Sequence, residues 1–235
     1  MSLWNMFKME LFKNIKDRAN LVLMLVLMGL NILGGVVISN QNWWRAPNAF
    51  DEMMIILFAA SVFASAVFLF LYPYQMARTD YKNKVMSLLI ASGVSRVQYY
   101  FVKVGATLIF SFLSIILLVI APLLIVLLSH DMSLALEFFH FTFELDLLAI
   151  GGFLFTWLGF FFMLMTAVII SRGRGYTIFV FLGISIASSQ LMLIFRSMFG
   201  ISMWQTTNTT MFVESLITMA IMGLIGILVI RKQDL

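Results

Sequence analysis

The chain has 235 residues, 62% of them hydrophobic and only 11% charged, with a mean hydropathy of +1.03 and a formal net charge of +4. A soluble globular domain averages roughly a quarter charged residues and under half apolar, so a water-soluble fold of this length is excluded and the solvent is lipid. Cysteine is absent, which excludes disulfides, thiolate metal sites and cysteine catalysis.

The first predicted element is an amphipathic helix in residues 1–20. Leu3, Trp4, Phe7, Leu11 and Ile15 recur at helical spacing on one face, with Lys8, Lys13 and Lys16 away from its centre. Such a helix lies in the membrane interface with its cations near anionic headgroups. Residues 21–235 then hold six apolar stretches of spanning length: Leu21–Ser39, Met53–Tyr72, Val104–Leu128, Leu147–Ile170, Tyr176–Phe195 and Met211–Ile230. The first is read as a retained helix, since no small-residue cleavage site follows it. Pro122 inside the third deletes one backbone bond and predicts a kink. The predicted class is therefore an all-α membrane protein with six transmembrane helices.

The charges set the orientation. With the N-terminus inside, the inner segments collect Lys8, Lys13, Lys16, Arg18, Arg78, Lys82, Lys84, Arg96, Lys103, Arg172, Arg174, Arg231 and Lys232. The outer side keeps Arg45 and Arg196 and holds Asp51, Glu52, Asp131, Glu137, Glu144, Asp146 and Glu214. This positive-inside asymmetry predicts cytoplasmic N- and C-termini in a multi-pass protein of the cell membrane. Trp43, Trp44 and Trp204 read as outer aromatic anchors, and Leu134–Phe143 as an interfacial or re-entrant piece too short to cross.

Motifs for chemistry are missing. No Asp, Glu, Lys, Arg or His lies near the middle of a predicted span, HExxH and GxxxxGK[ST] do not occur, and His130 and His140 lack metal-ligand spacing. The chain is not expected to be an enzyme, and no catalytic residue, metal or nucleic-acid partner is predicted. The Ser and Thr residues of the spans read as helix–helix hydrogen-bonding groups, and Asn31 as the only strongly polar side chain well inside a span, bonded to a neighbouring helix.

The longest inner segment, residues 75–103, has internal order. Tyr81, Val85, Leu88 and Leu89 recur at i, i+4, i+7 and i+8, predicting a short helix over Tyr81–Ala91 with one apolar face. Gly93 supplies its C-terminal stop. Ser95 and Gln98 form the S-x-x-Q capping box that starts the next helix, running through Lys103 into the third span. An apolar stripe here needs a cover, either headgroups or a protein.

The stretch YKNKVMSLLIASGVSRVQYYFVK resembles the loop between the second and third spans of ABC-2 type transporter permeases, through Leu88, Leu89, Ser92, Val94, Ser95, Arg96 and Lys103. Lys82 and Lys84 depart from the acidic and glycine residues usual there. The amphipathic N-terminal helix, the six spans and the basic–acidic tail Arg231–Leu235 fit the same architecture. The resemblance implies half of a dimeric transmembrane domain, paired with a second copy or a similar half-permease through the first and fifth spans. ATP and Mg²⁺ would be bound by separate ABC ATPase subunits, and no cofactor by this chain. The Tyr81–Ala91 helix would be the coupling helix, with Tyr81, Val85, Leu88, Leu89, Ser92, Gly93, Ser95 and Arg96 at the ATPase contact. Compact members of this kind export peptides or antibiotics in Gram-positive bacteria, as in lantibiotic-immunity, bacitracin-resistance and phenol-soluble-modulin exporters. Apolar walls suit an amphipathic peptide better than an ion or a sugar. The alternative is a non-transporting membrane anchor, an assembly factor or a sensor.

Overall fold

A computed structural model describes residues 2–40, 49–129, 147–200 and 207–233. These residues form helices and no strands: α1 (Leu3–Lys16), α2 (Arg18–Asn40), α3 (Ala49–Lys82), α4 (Val85–Ala91), α5 (Arg96–Ser129), α6 (Leu147–Ser171), α7 (Thr177–Met198) and α8 (Asn208–Lys232). Six of them are long and apolar enough to cross a membrane, namely α2, α3, α5, α6, α7 and α8. The chain is a multi-pass membrane protein. The expectations at Trp43, Trp44, Arg45, His130, Leu134–Phe143, His140 and Trp204 lie outside the described residues.

Helices α3 and α5 have 34 residues each, about 14 more than a crossing needs. The second span was expected to end at Tyr72, but α3 continues through Pro73 to Lys82. Pro73 deletes only the one hydrogen bond its missing N–H would make, and the helix continues beyond it. Pro122 likewise sits inside α5 without ending it.

The chain divides into two compact units, whose boundaries cut α3 at Pro73 and α5 after Gly105. One comprises Phe7–Tyr72 and Ala106–Glu144. Its core is α2, the first part of α3 and the second part of α5. Phe68 stacks on Tyr72 with ring centroids 5.3 Å apart, and Phe110 packs on Tyr72 at 4.9 Å. Asn31 Nδ2 donates to the Leu118 carbonyl at 3.2 Å, the interhelical bond expected of it.

The other unit comprises Met1–Met6, Pro73–Gly105 and Leu145–Leu235. In it α6 packs along α8 and against α7. Small and hydroxyl residues make the α6–α8 seam, as they do where helix backbones approach closely in lipid. The hydroxyls of Thr156 and Ser215 share a hydrogen bond at 2.7 Å, and Thr166 Oγ1 donates to the Met222 carbonyl at 2.9 Å. These bonds fill the helix–helix role expected of the span hydroxyls, whereas Ser61, Ser65, Ser189 and Ser197 donate to carbonyls of their own helices.

Helix α1 buries Met6, Glu10 and Asn14 and leaves Leu3, Trp4 and Ile15 exposed. Its apolar face is thus available to lipid. Asn31 is not the only strongly polar side chain well inside a span, since Gln190 lies within α7 and is exposed there.

Candidate functional site

The polar groups of the second unit concentrate where α3, α4, α5, the α6–α7 turn and the end of α8 meet. The predicted Tyr81–Ala91 helix does not form as one piece. Helix α3 closes with the Asn83 N–H on the Thr79 carbonyl, and Lys84 then adopts a left-handed conformation, φ 53°. Only Val85–Ala91 forms α4, so Tyr81 belongs to α3. The apolar periodicity runs across this break because spacing counts residues and is blind to one reversed dihedral.

The expected stop at Gly93 is present. Gly93 has φ 90°, its N–H reaches the Ile90 carbonyl at 2.9 Å, and the Val94 N–H reaches Leu89 at 3.1 Å. This pair of bonds is the Schellman arrangement, completed by burial of Val94. The capping box is also present: the Ser95 N–H donates to Gln98 Oε1 at 3.1 Å and the Gln98 N–H to Ser95 Oγ at 3.2 Å. The elbow from Lys84 to Gln98 is therefore held by its own hydrogen bonds. Met86 is the buried anchor of α4. Leu88 is 68% exposed, Val85 and Leu89 are half-buried, and Ser92, Gly93 and Ser95 are exposed.

Tyr81 and Arg96 turn inward to the end of α8. The Tyr81 hydroxyl donates to Gln233 Oε1 at 3.0 Å, while Gln233 Nε2 donates to the Ile169 carbonyl at 2.6 Å. Arg96 Nη1 donates to the carbonyls of Arg231 at 2.8 Å and Gln233 at 2.7 Å. A guanidinium at these terminal carbonyls satisfies acceptors that have no helical donor and complements the negative end of the helix dipole.

Below the elbow, Lys103 Nζ lies 2.5 Å from Asp80 Oδ2, and the Tyr99 hydroxyl donates to the same oxygen at 3.0 Å. Both ionic side chains are buried. Tyr99 and Lys103 are four residues apart on α5, so one helical face presents both donors. Lys103 was named from sequence, whereas Asp80 was not. The available signal was its position as the lone acid between Pro73 and Lys103.

The α6–α7 turn passes very close to α3. Arg172 has φ 53° and Gly173 φ 64°, with the Gly173 N–H on the Val168 carbonyl at 3.0 Å. A Cβ at Gly173 would stand 2.6 Å from the Arg78 Cα, so glycine is required both by the backbone angle and by the approach. Between this turn and the α3–α4 break lies a cavity of about 740 Å³ bordered by Arg78, Lys82, Lys84, Arg172 and Arg174, with Asp80 and Gln233. Left-handed conformations at non-glycine residues such as Lys84 and Arg172 cost about 1–2 kcal/mol each.

A second cavity, of about 530 Å³, opens among α6, α7 and α8. Thr156, Ser185, Ser188, Ser215 and Thr218 contribute hydroxyls to its wall, and Phe160 and Met163 contribute apolar surface. Arg196 and Glu214 also border it, joined by paired hydrogen bonds, one of them Nη2 to Oε2 at 2.7 Å. Both charges, assigned from sequence to the outer side, lie within helices α7 and α8. Among the described residues no cluster of His, Asp and Glu could hold a metal ion.

No family model, no curated protein and no solved structure matches the chain.

Proposed function

We propose that the chain is the permease subunit of an ATP-driven exporter of the ABC-2 type, driven by separate ABC ATPase subunits that bind ATP and Mg²⁺. The observation that carries this reading is the elbow between two 34-residue helices, which puts Leu88 outward on a short, internally braced helix. An apolar side chain presented on such a rigid support suits a protein contact. The Arg96 and Tyr81 bonds to the end of α8, with the Asp80–Lys103 pair, would pass movement of the elbow to α3, α5 and α8. Tyr81 and Arg96 then act as struts behind the ATPase contact, and Leu88 and Leu89 as the contact itself.

The positive-inside charge distribution supports a cytoplasmic elbow and cytoplasmic termini in the cell membrane. The exposed apolar face of α1 supports an interfacial helix. A second copy would pair through α7, where Gly183, Ala187 and Gln190 are exposed at i, i+4 and i+7. Small residues allow close helix approach and an amide can bond across the seam, whereas an amide facing lipid is unfavourable. The cavity among α6, α7 and α8, part hydroxyl and part apolar, suits an amphipathic peptide better than an ion.

The test is purification in mild detergent from the native host. A nucleotide-hydrolysing subunit should co-purify, and amphipathic peptides should stimulate its ATPase activity. Isolation without such a subunit, or stimulation by sugars and not peptides, would overturn the reading.

A further inference from the structure

We propose that the cavity between the α3–α4 break and the α6–α7 turn binds a phosphate group, carried either by an anionic phospholipid or by a free phosphate-bearing solute. This goes beyond the exporter reading and does not depend on it.

Five cations, Arg78, Lys82, Lys84, Arg172 and Arg174, border this one cavity. Among the described residues none of them has an ion pair or a side-chain hydrogen bond. The acid in the wall, Asp80, is already taken by Lys103. All five side chains are exposed at the cavity, and like charges gathered without a counter-charge among the described residues favour a bound anion. Guanidinium groups match phosphate oxygens with paired hydrogen bonds, and ammonium groups add charge.

The backbone provides an independent observation. Lys84 and Arg172 are the non-glycine residues with positive φ among the described residues, and both border this cavity. Glycine would take either conformation without steric cost. Cations occupying both strained positions are placed by the fold for their charge. The location fits the ligand as well. Lys82 ends one helix long and apolar enough to cross a membrane and Ser171 another, with Arg172 next in the chain, and anionic headgroups attract basic residues that follow such stretches.

The experiment uses the purified full chain and reads retained lipid by native mass spectrometry, with phosphatidylglycerol and phosphatidylcholine offered together. The wild type should prefer phosphatidylglycerol by roughly tenfold or more. The K84G/R172G variant keeps both backbone conformations accessible, so it should melt no lower in phosphatidylcholine yet lose that preference. Arg174→Gln, outside both strained positions, should lower the preference in the same direction. A K8Q/R18Q variant removes equal charge elsewhere and should leave it intact. Thermal stabilisation by inorganic phosphate without phosphatidylglycerol would assign a free solute as the source, and a preference for the lipid without that stabilisation would assign the headgroup. Absence of both effects in the wild type overturns the proposal, as does an undiminished preference in K84G/R172G or an equal loss in K8Q/R18Q.

Discussion

Asn31 on α2 donates its side-chain amide to the carbonyl of Leu118 on α5, the one acceptor that Pro122 cannot serve because a proline has no N–H to offer four residues back. One turn further along α2, Gly35 packs on the same feature, where an added Cβ would stand 3.1 Å from the Pro122 carbonyl oxygen. In lipid no water can satisfy a freed carbonyl, so a neighbouring helix must. The amide and the proline are therefore two halves of one device.

Asn31→Leu should destabilise the protein by about 1–2 kcal/mol, since a buried carbonyl loses its donor. Pro122→Ala restores a backbone N–H at that place, so Asn31→Leu should cost less in the Pro122→Ala background. Unfolding in mixed micelles across the four members of the double-mutant cycle measures this, and additive effects would contradict the pairing.

The Asp80–Lys103 pair predicts a sharper asymmetry. Lys103→Met leaves a buried carboxylate with the Tyr99 hydroxyl and should lower stability by about 3–5 kcal/mol. Replacing both residues, as in D80L/K103M, should recover most of the loss, because an apolar pair of similar volume is often neutral. The same unfolding assay decides it; a double variant no better than Lys103→Met would show that the pair is not a closed unit.

Leu88→Asp alters an exposed side chain, so stability should change by no more than about 0.5 kcal/mol. Combined with Leu89→Asp it should abolish coupling between ATP hydrolysis and export while the membrane helices stay folded. Unchanged export, or unchanged recovery of the ATPase with the variant, would remove α4 from the contact.

A second copy seated on α7 should be trapped by disulfide crosslinking. The native chain has no cysteine, so single introduced residues report without background. Ala187→Cys should form dimers under mild oxidation, and Leu154→Cys, exposed on α6, should not. The reverse pattern would relocate the seam.

How much of this was legible beforehand follows from the kind of signal involved. Six apolar stretches register as mean hydropathy, and the Ser95–Gln98 box and the Gly93 stop are local chemistry within a few residues, so each could be read directly. The break at Lys84 could not, because neither Gly nor Pro marks it and the apolar spacing runs through it unbroken. Asp80 and Lys103 meet only after two turns reverse the chain between them, and no local pattern encodes that. The five-cation cavity had a partial signal: each residue counted toward the inner charge excess, but the excess does not say which cations share a space. Arg196 and Glu214 read from sequence only as single outer-side charges, because no local pattern shows that two helices bring them together as a hydrogen-bonded pair.

Position 173 carries a consequence for divergence. Its backbone angle admits essentially glycine, and its hydrogen faces the main chain at Arg78 with no space for a methyl group. Its evolutionary alphabet therefore has one letter for as long as this loop is so short. A homologue with any other residue there should carry a longer loop between its fourth and fifth spans, and lengthening is the route by which the constraint can be escaped.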